Sequence, residues 1–282
     1  MIETDINKNY PNISQSFGIA GIFILGTIIL SPITMVLERF LDRELSMFIY
    51  YLLSVGVSFW VVYLIKKHKT GKNTFNLAIE NKRIIPFVIL ATIPLLFGII
   101  NPISSLIPMP ESIKIALFNL AGQNGIFSFL LMVIAAPILE ELIFRGIVLD
   151  GLLKKYSPIK SILISSFLFG FVHLNPWQFV TGFFIGIFIG WVYHKTRSLS
   201  FAIIIHATAN LSGFLMRCFG NFDYSSMDET LVESYGGALN LALAITGSVL
   251  VLIICTYFLN KEFKKCPLST FNNHCEEQGT IS

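Results

Sequence analysis

A succession of long apolar runs constrains this chain more than any other feature. A helix needs about 20 consecutive apolar residues to cross a bilayer. Eight stretches are candidates by that rule: Phe17–Leu37, Leu45–Ile65, Ile84–Ile107, Ile126–Leu149, Ser161–Leu174, Pro176–Tyr193, Leu199–Met216 and Ala238–Leu259. The fifth is short, and Asn175-Pro176 stops it. The expected fold is therefore an all-α polytopic membrane protein, a bundle of about eight transmembrane helices. Composition agrees: 54% of residues are hydrophobic and 13% charged, with a mean hydropathy of +0.71, whereas a soluble domain carries about 25% charged residues.

The domain organisation follows from the same pattern. Residues 1–16 form a polar N-terminal segment, 17–260 a single transmembrane domain and 261–282 a tail. The polar start is wrong for a cleavable signal peptide, so the first apolar run is expected to stay as a helix. No soluble domain, low-complexity segment or repeat stands out. The C-terminus reads GTIS and carries no prenylation signal.

Charge placement sets an expected orientation. Lys66, Lys67, Lys69, Lys72, Lys82 and Arg83 follow the second run; Lys154, Lys155 and Lys160 the fourth; Lys195 and Arg197 the sixth; Lys261, Lys264 and Lys265 the eighth. Lys8 falls on the same side, and only Arg39, Arg43, Lys114 and Arg217 on the other. The positive-inside rule then puts both termini in the cytoplasm. The opposite loop before the last run holds Asp223, Asp228, Glu229 and Glu233. A net charge of +3 is too small to suggest nucleic acid as a partner. The Ile/Phe/Lys/Asn-rich composition suggests a bacterium with an AT-rich genome, and so the bacterial cytoplasmic (inner) membrane.

Cys218, Cys255, Cys266 and Cys275 are scattered, with no metal-type spacing and no pattern of a disulfide framework. Cys266 and Cys275, with His274 nearby, could hold only a stray metal. Gly182-x-x-x-Gly186-x-x-x-Gly190 has the small-residue spacing that lets helix backbones approach, which points to bundle packing rather than to a glycine-lined substrate groove.

Ionisable groups inside the runs are costly, about 2.5–3.5 kcal/mol each at the bilayer centre, and must face protein or water. The fourth run contains Pro137-Ile-Leu-Glu140-Glu141-Leu-Ile-Phe-Arg145-Gly146. Glu141 and Arg145 are spaced i, i+4 with the acid first, the favourable order for an ion pair. Glu140 points about 100° away, free for chemistry. Pro137 removes a backbone hydrogen bond one turn earlier. His173 ends the fifth run, one turn after Phe169, and His206 shares a helix face with Asn210 in the seventh. His68, His194 and His274 read as solvated residues of loops or tail. Taken singly, each buried polar residue is ordinary interhelical glue. Together, a glutamate, two histidines and an asparagine on three runs can activate water and stabilise an oxyanion. Glu140, His173 and His206 could also hold a divalent metal such as zinc, although the His-Glu-x-x-His pattern is absent. Counting 1.5 Å per residue from the run ends, Glu140 and His173 differ in depth by roughly 12 Å. Helix tilt, or a deeper start to the fourth run, must close that gap if both belong to one site.

Glu140-Glu141-x-x-x-Arg145, Phe169-x-x-x-His173 and His206-x-x-x-Asn210, in that order on successive runs, resemble the CPBP family. These are the CAAX protease and bacteriocin-processing proteins, also called Abi proteins, which include the eukaryotic type II CAAX prenyl endopeptidase. The resemblance covers about residues 126–213. It implies an eight-helix intramembrane endopeptidase acting on a peptide or membrane-protein substrate beside the lipid bilayer. Glu140 would activate water with His173 assisting, His206 and Asn210 would stabilise the oxyanion, and Glu141, Arg145 and Phe169 would support them. The competing readings are a transporter with an ionisable midplane site and an immunity or binding protein that holds a peptide without cutting it.

Overall fold

The computed structural model describes residues 9–71, 74–121, 123–219 and 229–265, apart from the side chains of 116, 117 and 119–121. Lys8, Lys72, Asp223, Asp228, Cys266, His274 and Cys275 lie outside the described residues. In chain order the helices longer than one turn are α1 (Ile13–Leu37, interrupted at Ser31), α2 (Arg43–Thr70), α3 (Ile84–Ser104), α4 (Glu111–Ala121), α5 (Ile126–Leu152), α6 (Pro158–Phe171), α7 (Pro176–Thr196), α8 (Leu199–Phe219) and α9 (Ala238–Phe263). Seven of them, all but α4 and α6, are long and apolar enough to cross a membrane. No strand occurs among the described residues. The chain is a polytopic all-α membrane protein.

The helix ends follow local chemistry. Asn12 Oδ1 accepts from Gln15 N while Gln15 Oε1 accepts from Asn12 N, a reciprocal cap that starts α1. Asp42 caps α2, and Gly71, at φ +68°, ends it in the left-handed conformation that glycine tolerates best. The fifth expected span becomes α6, 14 residues long and so about 21 Å, short of a hydrocarbon core of about 30 Å.

α5 lies at the centre. Its Ile143, Phe144, Val148, Leu149 and Leu152 are fully buried, and α2, α6, α7 and α8 pack around it. Large apolar side chains on α1 and α9, such as Ile29 and Leu250, point outward. In water such a surface would drive aggregation; in a bilayer it is the face that lipid covers.

The glycine stripe of α7 packs against α6. A Cβ on Gly182 would sit 3.0 Å from Gly170 Cα, one on Gly186 3.1 Å from Ser166 Cβ, and one on Gly190 3.0 Å from Ile162 Cγ2. Close backbone approach is what these positions supply.

Three stretches widen into π-helical turns: Leu95–Ile100 in α3, and Leu130–Ala135 and Phe144–Leu149 in α5. Such a turn shifts the hydrogen-bond ladder and leaves carbonyls without a helical partner. In a membrane these must be satisfied by protein. Side chains from other helices do so: Asn210 donates to Met132 O, Ser165 to Phe144 O, Lys66 to Gly146 O and Tyr235 to Phe97 O.

Sequence expectations change at two helix ends. α2 runs on to Thr70, so Lys66, Lys67, His68 and Lys69 are helical rather than loop residues, and Lys66 is 6% exposed, its Nζ 4.2 Å above the Phe75 ring. His194 belongs to the last turn of α7 and is half-buried rather than solvated.

Candidate active site

Glu140 and Glu141 sit on the α-helical segment Ala136–Ile143, between the two π turns of α5. Both are buried, as is Arg145. Arg145 Nη1 donates to Glu141 Oε1 over 2.8 Å, forming the i, i+4 pair. Arg145 Nη2 donates to Gly186 O over 3.2 Å, which the missing Cβ of Gly186 permits. The guanidinium also lies 4.4 Å from the centre of the Phe169 ring, a cation–π contact from α6.

His206 comes from α8, and its Nδ1 lies 2.9 Å from the same Glu141 Oε1. A carboxylate only accepts, so Nδ1 carries the proton in this contact. Its Nε2 faces Glu140 Oε2 at 3.9 Å. Glu140 Oε1 is held from another direction by the Tyr51 hydroxyl of α2, which donates over 2.6 Å.

His173 lies just past the end of α6. Its Nδ1 is 2.9 Å from Phe169 O. A carbonyl only accepts, so Nδ1 is the donor and Nε2 holds the lone pair of the neutral ring. Leu174 follows at φ +56°, an uncommon conformation for a side chain branched beyond Cβ. Asn175 secures that turn by donating to His173 O and capping α7 through Gln178 N.

Asn210 Nδ2 donates to Met132 O over 2.8 Å. The reason is local. In an ordinary helix the N–H of Ala136 would serve Met132 O, but it bonds Leu131 O instead. The residue five positions on is Pro137, which has no N–H. Asn210 fills the place that Pro137 leaves open.

His173, His206, Asn210 and Phe169 line one cavity of about 230 Å³, together with Ser104, Trp177, Gln178, Thr181 and Gly182. Gly182 therefore serves both packing and the cavity wall. The Phe169 ring stands between the imidazoles, edge-on to His173 at 5.5 Å and to His206 at 5.4 Å. Glu140 is not on that lining; it lies beyond His206. No ion pair joins His173 to either glutamate among the described residues. His173 thus lines the cavity, while Glu140 lies behind His206.

Of Glu140, His173 and His206, the residues expected to hold a metal, Glu140 and His206 face each other at 3.9 Å, and His173 stands apart on the far side of Phe169 from His206. Among the described residues no group of three or more His, Cys, Asp or Glu side chains is placed to bind one; the Nδ1 contacts of His173 and His206 leave each Nε2 open. Tyr51 is the site residue that the sequence did not disclose; its only signal is a hydroxyl within an apolar run.

Fold and site together define a membrane-embedded bundle with a buried carboxylate–imidazole centre beside a cavity lined by both polar and apolar side chains. Residues 122–212, which contain all seven expected site residues, match the family model described as Type II CAAX prenyl endopeptidase Rce1-like. The chain is also 30% identical over 108 residues to the protein named "Putative membrane peptidase YdiL" of Bacillus subtilis (strain 168). That match covers 38% of this chain and 44% of the relative, so the chain spans less than half the length of the relative it matches. No solved structure matches the chain.

Proposed function

We propose that the protein is an intramembrane peptidase that hydrolyses a peptide bond in a membrane-associated peptide or protein. The observation that carries this reading is the pair Glu140 Oε2 and His206 Nε2, 3.9 Å apart and each anchored at its other atom by Tyr51 or Glu141. That distance is too long for a direct hydrogen bond and suits one bridging water. The similarity of residues 122–212 to Rce1-like endopeptidases and of the chain to a membrane peptidase supports the same class.

In the proposed reaction Glu140 takes a proton from the water, and the oxygen adds to the carbonyl carbon of the substrate. The carbonyl oxygen becomes an oxyanion. Asn210 has a second amide N–H beyond the one given to Met132, and a doubly protonated His206 has Nε2–H; both can donate to it. The C–N bond then breaks, and the proton held by Glu140 passes to the leaving amine. His173, with its lone pair on Nε2, assists proton transfer from the mouth. A metal has no step in this scheme.

The test is cleavage of quenched fluorescent peptides, some lipid-tailed, by the protein in nanodiscs, with and without a chelator. The reading expects cleavage by wild type, loss in His206→Ala, and persistence with chelator. Cleavage unaffected by His206→Ala would assign it to another source.

A further inference from the structure

The two ends of the bundle differ in charge and in closure. At one end lie Lys67, Lys82, Lys155, Arg197 and Lys261, all flanking membrane helices. A strap over residues 74–81 ties this end shut. Leu199 N donates to Asn76 O, Asn76 Nδ2 to Arg197 O and Ser200 Oγ to Leu77 O, at 2.8, 3.1 and 2.6 Å. Phe75 fills the space a side chain at Gly146 would need, 2.7 Å from its Cβ position. Above Phe75 comes the buried Glu141–Arg145 pair, fully closed from solvent. The site is therefore sealed toward the lysine-rich end.

The cavity runs the other way. His206 is its inner wall, seven residues into α8 from the lysine-rich end. Its other lining residues include Ser104 at the last residue of α3, His173 just past α6, and Trp177 and Gln178 in the first turn of α7. All four sit at the ends of their helices remote from the lysines. Ser104, Gln178 and Thr181 give this passage hydrogen-bonding groups that suit an extended peptide backbone.

We infer that the catalytic cavity opens on the extracytoplasmic face. Lysine and arginine concentrate in cytoplasmic loops, which puts the sealed end in the cytoplasm and the mouth outside. Resting on the peptidase reading above, this names the substrate class: a membrane-anchored chain whose scissile bond lies at or beyond the outer leaflet. Chains confined to the cytoplasm, lipid-tailed ones included, do not reach the site.

Side-specific labelling tests this without reference to activity. In the full-length protein with Cys218, Cys255, Cys266 and Cys275 changed to serine, single cysteines are introduced as Gln178→Cys at the mouth, Leu106→Cys on the same face and Lys67→Cys at the sealed end. Whole cells are treated with a membrane-impermeant maleimide before and after permeabilisation. The expected result is labelling of Gln178→Cys and Leu106→Cys in intact cells and of Lys67→Cys only after permeabilisation. Labelling of Lys67→Cys but not Leu106→Cys in intact cells would overturn the orientation. Labelling of Leu106→Cys with Gln178→Cys protected even after permeabilisation would overturn the open mouth. Either result leaves the peptidase reading to stand or fall on its own cleavage assay.

Discussion

His206 is held by Glu141, not by Glu140: its Nδ1 lies 2.9 Å from Glu141 Oε1, the same oxygen that accepts from Arg145. One carboxylate oxygen thus couples α5 to α8 and, through Arg145, to α6 and α7. Glu141 is a positioning residue whose loss strands a buried cation. Glu141→Ala is expected to lower stability by about 3–5 kcal/mol, the usual cost of breaking a buried ion pair from one side. Thermal unfolding in nanodiscs checks this; a wild-type melting temperature would show the pair to be incidental.

Tyr51 acts through Glu140. Tyr51→Phe removes one hydrogen bond to a carboxylate and adds no bulk. Such a bond contributes about 1.5–3 kcal/mol, so kcat is expected to fall about ten- to a hundredfold. KM stays near wild type, because the hydroxyl is not on the cavity lining, while the melting temperature falls, because Glu140 Oε1 loses its buried partner. A change in KM alone would place Tyr51 in substrate binding instead.

Asn210 carries two duties, and a proline separates them. Asn210→Ala leaves Met132 O unpaired in the membrane, an expected loss of about 1–3 kcal/mol. Pro137→Ala restores an N–H five residues beyond Met132 and gives that carbonyl a helical partner. The double variant is therefore expected to recover part of the stability, with a coupling of about 0.5–3 kcal/mol, while cleavage stays low because the second amide donor is still missing. Strictly additive stabilities would break the link between Pro137 and Asn210.

The glycines of α7 are ranked by what faces them. Gly182 meets the backbone of Gly170, and Gly186 meets Arg145 and Ser166; Gly190 meets the Cγ2 methyl of Ile162. Alanine at either of the first two is expected to cost about 1–3 kcal/mol, as overpacking does, and alanine at Gly190 less, since it meets one side-chain methyl rather than backbone or the guanidinium of the buried pair. Comparative unfolding of the three variants gives the order directly; Gly190→Ala as the most damaging would contradict it.

The sequence disclosed most of the fold because the bilayer imposes one simple length rule on helices, and only seven of the eight expected runs obey it in full. The Glu141–Arg145 pair was legible for a similar reason: its geometry is local to one helix. Lys66 was misplaced because a lysine after an apolar run looks like a loop residue, whereas the helix continues and buries it against Phe75. Tyr51 and Met132 were invisible for a different reason. One is an aromatic among many in apolar runs. The other contributes a backbone carbonyl that becomes an acceptor only because α5 widens before Pro137 and α8 passes beside it. The family-like pattern named His173 and Glu140 together, but their separation, with Phe169 between the imidazoles, needed the packed bundle to appear.

The central claim is that Glu140 takes the proton from water, and Glu140→Gln addresses it most directly. Glutamine keeps the shape and still accepts from Tyr51, so folding is preserved while the base is removed. With the protein in nanodiscs and a cleaved peptide substrate, turnover is expected to fall by about 10²–10⁴, the usual contribution of a general base, at an unchanged melting temperature. Turnover equal to wild type in a folded Glu140→Gln protein would contradict the account.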